Sequence, residues 1–262
     1  MRGCKGCRDE GVLPIAFTMA FQPIIDFRDR TVWGYEALVR GLHGESAAEV
    51  LSDNGGPNRY TFDQACRVKA IELGGSLFPK DGTRLSINFL PDAVYEPTAC
   101  IRATLDAAHR VGFDRRRIVF EFTEDERMHD VAHLRRIVDV YRRQGFATAL
   151  DDFGAGYAGL NLLAEFQPDY LKIDMGLIRG IGEAPVRQAI VESVLTLAQR
   201  LGVAVIAEGV ETVAELRTLR DLGIALFQGY LFARPAVAVL PPVSYPSVDT
   251  GTEGEMIAAR AA

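Results

Sequence analysis

The sequence contains no long uninterrupted run of apolar residues. None of its hydrophobic stretches approaches the ~18–20 residues that a helix needs to span a bilayer, so we expect no membrane segment. Residues 1–14 carry charges but no apolar stretch before a small-residue cleavage site, which predicts no secretion signal and a cytoplasmic location. A basic excess is also missing, because 29 lysines and arginines stand against 35 aspartates and glutamates. This balance argues against DNA or RNA as a partner.

Cysteine and histidine are scarce, and neither forms a complete metal-binding pattern. The four cysteines are Cys4, Cys7, Cys66 and Cys100. Cys4 and Cys7 form a Cys-x-x-Cys pair without a second such pair, which leaves half of an intermolecular zinc site, a redox pair or an N-terminal tail, and we favour a tail over 1–14. None of the four histidines lies at the end of a predicted strand. The sequence also has neither a Gly-x-Ser-x-Gly elbow nor a Walker loop.

Segments with strand patterns and helix patterns alternate along the chain after an opening hairpin. The predicted strands are 17–21 with 23–26, 31–36, 84–89, 118–122, 147–151, 170–174, 203–208 and 225–230. Alternation of this kind over ~240 residues favours an α/β barrel over an open sheet. We therefore predict one domain over 15–240 and a loose C-terminal tail over 241–262, where apolar residues become sparse.

Helical periodicity fills the gaps between the predicted strands. Apolar spacing predicts a helix over 131–141 and a second one that ends at Gly202. The apolar stripe of the second helix consists of Val186, Ile190, Val194, Leu197 and Leu201. The motif Thr212-x-x-Glu215 predicts a capping box for a short helix that closes at Gly223.

Polar side chains recur near the carboxyl-terminal end of nearly every predicted strand. They are Glu36, Asn88, Glu121, Asp151 with Asp152, Lys172 with Asp174, Glu208, and Gln228. Gaps of 20 to 52 residues separate them from strand to strand, which fits one loop–helix–loop return each. Because barrel enzymes place their chemistry on the face where these strand ends meet, we expect the side chains to converge there.

Oxygen donors dominate this group. Crowded carboxylates repel each other and stay largely protonated unless cations lie among them, and oxygen-only ligands favour Mg²⁺ or Mn²⁺ over zinc. Adjacent Asp151 and Asp152 allow one carboxylate to bridge two ions while its neighbour binds the second, which suits the displacement of a phosphoester. Lys172 adds a cation that can orient a water molecule. Arg40, four residues after Glu36 on the same face of the strand, can bind a phosphate.

The polar residues also belong to a series of short motifs. In chain order these are Glu36-Ala37-Leu38-Val39-Arg40, Ser86-Ile87-Asn88-Phe89, Glu121-Phe122-Thr123-Glu124, Asp151-Asp152-Phe153-Gly154-Ala155-Gly156-Tyr157, Leu171-Lys172-Ile173-Asp174, Ala207-Glu208-Gly209-Val210-Glu211 and Gln228-Gly229-Tyr230-Leu231-Phe232. Over about 17–236 they resemble the EAL-domain phosphodiesterases, and the stretch from Gly154 is most similar to the EAL halves of blue-light BLUF–EAL proteins. The resemblance implies a modified TIM (β/α)8 barrel with an antiparallel first strand. It also implies a bacterial enzyme that opens the second messenger cyclic di-GMP to linear 5′-pGpG with Mg²⁺ or Mn²⁺.

The same resemblance assigns roles to individual residues. It implies one metal site formed by Glu36, Asn88, Glu121 and Asp151 and a second formed by Asp151, Asp152 and Glu208, with Gln228 nearby through water. Lys172 would hold the attacking water, so the implied catalytic residues are Lys172, Glu36, Asp151, Asp152 and Glu208. The implied substrate contacts are Gln22, Leu38, Arg40, Asp174, Glu211 and Gln228.

The loop after Asp152 departs from the family's usual sequence, Asp-Phe-Gly-Thr-Gly-Tyr-Ser-Ser-Leu. Ala155, Ala158 and Gly159 remove three hydroxyl groups from it. Glu124 resembles the family glutamate that holds this loop, and we expect it to bind backbone amides instead. The resemblance also implies a homodimer through this loop and the adjacent helix.

Three functions remain open at this point. The leading interpretation is an active phosphodiesterase, because every metal ligand and Lys172 are present. The alternatives are a catalytically weak or inactive receptor for cyclic di-GMP and a protein-interaction module. The few residues before the first strand leave no room for a light-sensing domain, so we expect either a free-standing EAL protein or a fragment.

Overall fold

The computed structural model describes residues 16–53, 58–123, 131–156 and 159–247. Its strands are β1 (Phe17–Asp26), β2 (Thr31–Gly41), β3 (Arg84–Asn88), β4 (Ile118–Thr123), β5 (Ala147–Phe153), β6 (Tyr170–Ile173), β7 (Ala204–Ala207), β8 (Leu226–Gln228) and β9 (Ala236–Val237). Its helices are α1 (Ala47–Asp53), α2 (Arg59–Leu77), α3 (Pro97–Cys100), α4 (Arg102–Val111), α5 (Val131–Arg143), α6 (Gly159–Glu165), α7 (Met175–Ile178), α8 (Pro185–Leu201) and α9 (Val213–Asp221). Within these ranges, no helix has the length and apolar character needed to cross a membrane.

The strands β1 to β8 close into a barrel. From β2 to β8 each strand pairs in parallel with the next, and β1 closes the ring between β8 and β2. Strand β1 runs antiparallel to both neighbours, with Gln22 opposite Glu36 on β2 and Ile24 opposite Gln228 on β8. The prediction of a modified (β/α)8 barrel with an antiparallel first strand is confirmed.

Strand β2 is longer than the sequence pattern predicted. We expected it to end at Glu36, but it continues to Gly41, which lies opposite Phe17 at the start of β1. Antiparallel pairing with β1 supplies hydrogen bonds along this whole length. Glu36 therefore lies within the strand, and Leu38 and Arg40 follow it along the same ladder.

The two ends of the barrel interior differ in character. Ile24, Ile206 and Leu226 form a small buried cluster, against which Trp33 and Tyr170 pack. The Trp33 and Tyr170 rings meet edge to face with centroids 4.9 Å apart. Because β2 and β6 are not neighbours in the sheet, this contact crosses the interior and closes that end with apolar groups. The polar strand residues lie at the opposite end.

The predicted helix over 131–141 is confirmed as α5, which buries one face against the barrel. Its buried residues are Leu134, Ile137, Val138, Val140 and Tyr141. The Tyr141 ring lies 4.9 Å from that of Phe120 on β4 and the Phe146 ring lies 5.1 Å from it, measured between centroids. These contacts fix the strand that carries Glu121.

Helix α8 is also confirmed, but the apolar stripe predicted for it is only partly buried. Val186 and Ile190 are 74% and 42% exposed, whereas Val191, Val194 and Ala198 face the barrel. Of the predicted apolar stripe, Val194 is buried and Leu197 and Leu201 are half-buried. Helical spacing identifies an apolar face, yet it does not identify which side of the helix meets the sheet.

The predicted helix boundaries hold. Gly202 ends α8 in the left-handed region with φ 70°. Thr212 and Glu215 form the capping box at the start of α9. The buried Glu215 carboxylate also accepts the backbone N–H groups of Glu211 at 3.0 Å and Gly180 at 2.9 Å, so it joins the loops that follow β7 and α7.

The chain remains packed on the barrel beyond residue 240, where we placed the start of the C-terminal tail. The Ser244 N–H donates to the Phe232 carbonyl oxygen at 2.9 Å, and the Arg30 guanidinium donates to the Tyr245 carbonyl oxygen at 2.8 Å. Residues 248–262 and the predicted tail over 1–14, with Cys4 and Cys7, lie outside the described residues.

Candidate active site

The polar end of the barrel gathers side chains from β1 to β6, from β8 and from the residue that follows β7. They are Gln22, Glu36, Asn88, Glu121, Asp151, Asp152, Lys172, Glu208 and Gln228. All were singled out from the sequence, and the structure brings them to one mouth. Their contacts form a single connected group.

Lys172 lies at the centre of this group and has no exposed surface. Its Nζ atom lies 2.9 Å from Glu121 Oε2 and 2.8 Å from Glu208 Oε1. The same atom lies 3.1 Å from Asp151 Oδ1 and 3.4 Å from Glu36 Oε2. One ammonium group thus contacts carboxylates from four different parts of the barrel wall.

Amide side chains hold Glu36 from both sides. Asn88 Nδ2 donates to Glu36 Oε1 at 2.8 Å, and Gln228 Nε2 donates to Glu36 Oε2 at 2.7 Å. Gln228 Nε2 also contacts Gln22 Oε1 at 3.2 Å, and Gln22 Nε2 donates to the Ala233 carbonyl oxygen at 3.3 Å. The carboxylate of Glu36 is therefore fixed before any ligand binds.

Gly229 allows the backbone after β8 to approach the loop after β7. A Cβ atom at this position would lie 2.0 Å from the Val210 carbonyl oxygen, far inside contact distance. The Val210 N–H in turn donates to the Gln228 carbonyl oxygen at 3.1 Å. This close approach, which only glycine permits, sets the position of Gln228.

Asp152 reaches the mouth because β5 is irregular there. Consecutive side chains of a regular strand point to opposite faces, so Asp151 and Asp152 would diverge. The pairing with β6 breaks between Leu150 and Phe153, and Asp152 adopts a φ of 54°. The Asp152 N–H donates to Asp151 Oδ1 at 2.9 Å. This bulge turns two adjacent carboxylates toward the same site.

Burial and the charges of neighbouring carboxylates raise the pKa values of three carboxyl groups in the mouth, those of Glu121, Asp152 and Glu208. Burial raises the pKa of Glu121, against the opposing effect of Lys172. Burial, followed by the negative charge of Asp151, raises the pKa of Glu208 well above its usual range and that of Asp152 to about 6. Burial alone would lower the Lys172 pKa, but the surrounding carboxylates outweigh it and raise that pKa. The site therefore holds more carboxyl groups than the single positive charge of Lys172 can neutralise.

The arrangement of oxygens fits two hard divalent cations. One oxygen from each of Glu36, Glu121 and Asp151 lies within 4.8 Å of the others, and the same is true of Asp151, Asp152 and Glu208. Asp151 belongs to both sets. Among the described residues, Glu121 Oε1 is buried without a hydrogen-bond partner, a condition that a cation would relieve. An all-oxygen donor set of this kind suits Mg²⁺ or Mn²⁺.

A cavity of about 310 Å³ opens above these groups, which is large enough for part of a small-molecule ligand. Of the predicted substrate contacts, those that line it are Gln22, Leu38, Asp174, Glu211 and Gln228. Arg40 does not line it, and its guanidinium donates to the Val39 carbonyl oxygen at 2.7 Å. Asp174 Oδ1 also accepts the Gly176 N–H at 2.7 Å and so caps α7. Glu124 lies outside the described residues.

Sequence reasoning missed Met175, Arg179 and Tyr230, which also line the cavity. Arg179 forms a two-pronged ion pair with Glu211, with N–O distances of 2.5 and 3.0 Å. Met175 and Tyr230 each lie within two residues of a predicted strand-end residue, so a search of the loops after the strands would have found them. Arg179 carries no comparable signal.

The fold and the site together define a closed α/β barrel whose mouth holds a buried lysine among carboxylates. The EAL domain model matches residues 15–235. The chain therefore belongs to the EAL-domain family, and the resemblance inferred from the sequence is confirmed.

Solved structures agree with this assignment. The chain is similar to a standalone EAL protein from Vibrio cholerae O395 in its c-di-GMP-bound form, with a TM-score of 0.85 and 53% identity over 89% of this chain and 98% of that chain. It is also similar to Klebsiella pneumoniae BlrP1 in a manganese and cyclic di-GMP complex at pH 6, with a TM-score of 0.81 and 36% identity over 87% of this chain and 58% of that chain.

Curated relatives give the same family. BluF, a blue light- and temperature-regulated antirepressor of Escherichia coli K12, is 31% identical over 227 residues, which are 87% of this chain and 56% of BluF. The probable cyclic di-GMP phosphodiesterase PdeN of the same organism is 32% identical over 231 residues, which are 84% of this chain and 43% of PdeN. The chain thus spans about half the length of these relatives.

We expect Lys172→Met to destabilise the chain in EDTA by about 3–5 kcal/mol, since removal of one partner leaves buried charges uncompensated. Mn²⁺ should restore part of the loss. Urea unfolding in EDTA and in Mn²⁺ measures both effects, and the exposed Lys80→Met serves as the matched control. Equal stability of Lys172→Met and the parent in EDTA would contradict the central role of the ammonium group.

Proposed function

We propose that the chain is a metal-dependent phosphodiesterase that hydrolyses cyclic di-GMP to linear 5′-pGpG. The observation that carries this proposal is the pair of carboxylate sets that share Asp151 beside the buried Lys172, at the base of a cavity. The cyclic di-GMP complexes of the Vibrio and Klebsiella proteins support the choice of ligand. The name of PdeN supports the reaction.

The proposed reaction exchanges one phosphorus–oxygen bond for another. A water molecule adds to one phosphorus, the bond from that phosphorus to the ribose 3′ oxygen breaks, and a proton of the water ends on the departing oxygen. The 5′-phosphate remains on the opened dinucleotide. Two divalent ions bound in the mouth would supply Lewis-acid stabilisation of the phosphate charge and a lowered pKa of water.

The protein's own residues prepare the site for this reaction. In our proposal Glu36, Asn88, Glu121 and Asp151 would hold one ion, and Asp151, Asp152 and Glu208 would hold the other. Lys172 donates a hydrogen bond to the attacking water from the floor of the mouth. Gln22, Leu38, Asp174, Glu211 and Gln228 bind the nucleotide within the cavity, and Arg40 reaches a phosphate after its side chain turns from Val39.

We also propose that the chain forms a homodimer through the loop after Asp152 and the adjacent helix α6. Leu160, on the first turn of α6, is 64% exposed and offers an apolar side chain for contact at this surface. Contact between two copies would remove this surface from water.

The metal requirement is the first test of the proposed activity. EDTA should abolish the formation of pGpG from cyclic di-GMP, Mg²⁺ or Mn²⁺ should restore it, and Ca²⁺ should restore it poorly, because Ca²⁺ prefers larger and looser ligand shells. Chromatographic separation of the nucleotides measures the product. Detectable binding of cyclic di-GMP without product in any metal would instead support a receptor, and absence of binding would support an interaction module.

The bridging carboxylate gives a sharper test. Asp151→Asn should lower turnover about 1000-fold, since it removes one charged ligand from both sets and with it about 4 kcal/mol of transition-state stabilisation. Glu36→Ala should act in the same direction. Asp139→Asn, an exposed substitution on α5, is the matched control and should leave turnover unchanged. Full activity of Asp151→Asn would rule out the two-metal assignment.

For the dimer, Leu160→Asp should raise the dissociation constant at least about tenfold by placing a charge in the contact. Sedimentation at several protein concentrations measures this constant. Leu51→Asp changes another exposed leucine, 50% exposed on α1, and should have no effect. A monomeric parent, or equal constants for the two variants, would contradict this interface.

A further inference from the structure

A buried ion pair lies on α2, outside the mouth of the barrel. Arg67 Nη2 donates to Asp63 Oδ2 at 2.6 Å, and the two side chains are 1% and 2% exposed. A buried pair of this kind contributes little net stability, because the loss of hydration of both charges offsets their attraction. Stability alone therefore does not account for its presence.

The second oxygen of Asp63 connects α2 to the segment that follows β3. Asp63 Oδ1 accepts the backbone N–H of Leu90 at 3.0 Å. Leu90 lies two residues after Asn88, and the intervening Phe89 donates its N–H to the Glu121 carbonyl oxygen at 2.9 Å. The backbone after Asn88 is thus fixed at two successive amides, one bound to β4 and the other to α2.

The Asn88 side chain itself is not held by close packing. Asn88 is exposed at the end of β3, and a mostly apolar cavity of about 190 Å³ adjoins both Asn88 and Leu90. Side chains beside unfilled space lack the contacts that fix rotamers in a close-packed core. The Asn88 amide nevertheless meets Glu36 Oε1 at 2.8 Å, which requires a well-defined backbone position.

Arg67 keeps the Asp63 carboxylate in the orientation that this link requires. Arg67 Nη1 donates to the Tyr141 hydroxyl at 3.4 Å, and Arg67 Nε donates to the Asp63 carbonyl oxygen at 3.5 Å. The guanidinium is therefore bound on several sides and presents a fixed partner to Oδ2. With Oδ2 held in this way, Oδ1 faces Leu90.

We propose that Asp63, oriented by Arg67, is a positioning residue that sets Asn88 for metal binding through the Leu90 amide. The inference rests on the proposed metal-dependent function. Asp63 is absent from the lining of the 310 Å³ cavity and acts only through the backbone of the segment after β3.

Two neutral double variants separate this role from general stability. D63L/R67M replaces the pair with apolar side chains and removes the acceptor for Leu90, and the adjoining cavity, which Asp63 lines, accommodates the larger leucine. D63N/R67Q also removes both charges but keeps an amide oxygen for Leu90 and an i, i+4 hydrogen bond along the helix. The second variant is thus the matched control for the first.

Two readouts compare the variants without nucleotide. Hydrogen exchange should show the Leu90 amide exchanging about tenfold faster in D63L/R67M than in D63N/R67Q. The electron paramagnetic resonance signal of free Mn²⁺ measures how much of the ion is bound. It should show that one site of D63L/R67M binds Mn²⁺ about tenfold more weakly than the same site of D63N/R67Q, a loss typical of removed supporting contacts. The two thermal unfolding midpoints should be similar.

A third measurement needs no variant and covers the case in which D63L/R67M does not fold. If the Leu90 link and the metal site are coupled, Mn²⁺ must slow exchange of the Leu90 amide in the parent chain by linkage. The Phe113 amide, which donates to the Ala108 carbonyl oxygen, provides a remote control. Unchanged exchange at Leu90 would overturn the proposal.

Equal Mn²⁺ affinities of the two variants would also overturn it, even if Leu90 exchanged faster in one of them. Failure of the proposed function gives a different result. A chain that binds Mn²⁺ but yields no pGpG contradicts the phosphodiesterase assignment alone, and the comparison of the two variants still decides the role of Asp63.

Discussion

The site is governed by one buried ammonium group that cannot balance the acids around it. Lys172 Nζ lies within 3.4 Å of oxygens from Glu36, Glu121, Asp151 and Glu208 and has no contact with solvent. Each carboxylate is stabilised by the same cation and destabilised by the other three, and burial magnifies both effects. The remaining negative charge is the reason that the mouth suits divalent ions, and ions of that kind are in turn what an anionic phosphodiester would require there.

The antiparallel first strand organises the uncharged part of the site. By closing the barrel between β8 and β2, β1 places Gln22 opposite Glu36 on β2 and near Gln228 on β8. A chain of amides then runs from Gln22 through Gln228 to Glu36 and on to Asn88. These amides carry no net charge, so they hold the Glu36 carboxylate without adding to the repulsion. The antiparallel strand β1 and its neighbours thus orient the Glu36 carboxylate, and the parallel strands supply most of the charged side chains.

Much of this arrangement was accessible from the sequence because it depends on periodicity. Alternating apolar residues located the strands, and polar residues at their ends predicted the mouth, where the structure places Glu121, Lys172 and Gln228. The contacts that depend on three-dimensional packing were not accessible. The bulge that turns Asp152 beside Asp151 depends on the pairing of β5 with β6, which no local pattern identifies.

The altered loop after Asp152 bears on whether a complete set of carboxylates can remain in place. The hydroxyl groups of the family's usual motif are absent at Ala155 and Gly159. Backbone groups hold the start of the loop instead, because the Asp152 N–H donates to Asp151 Oδ1 at 2.9 Å and the Ala155 N–H donates to the Asp152 carbonyl oxygen at 3.0 Å. The first bond ends on the Asp151 carboxylate and the second on a main-chain oxygen, so neither bond uses the side chains at positions 155 and 159. The geometry that directs both carboxylates into the mouth therefore persists without the lost hydroxyls, whose absence bears on the outer part of the loop rather than on the ligands themselves.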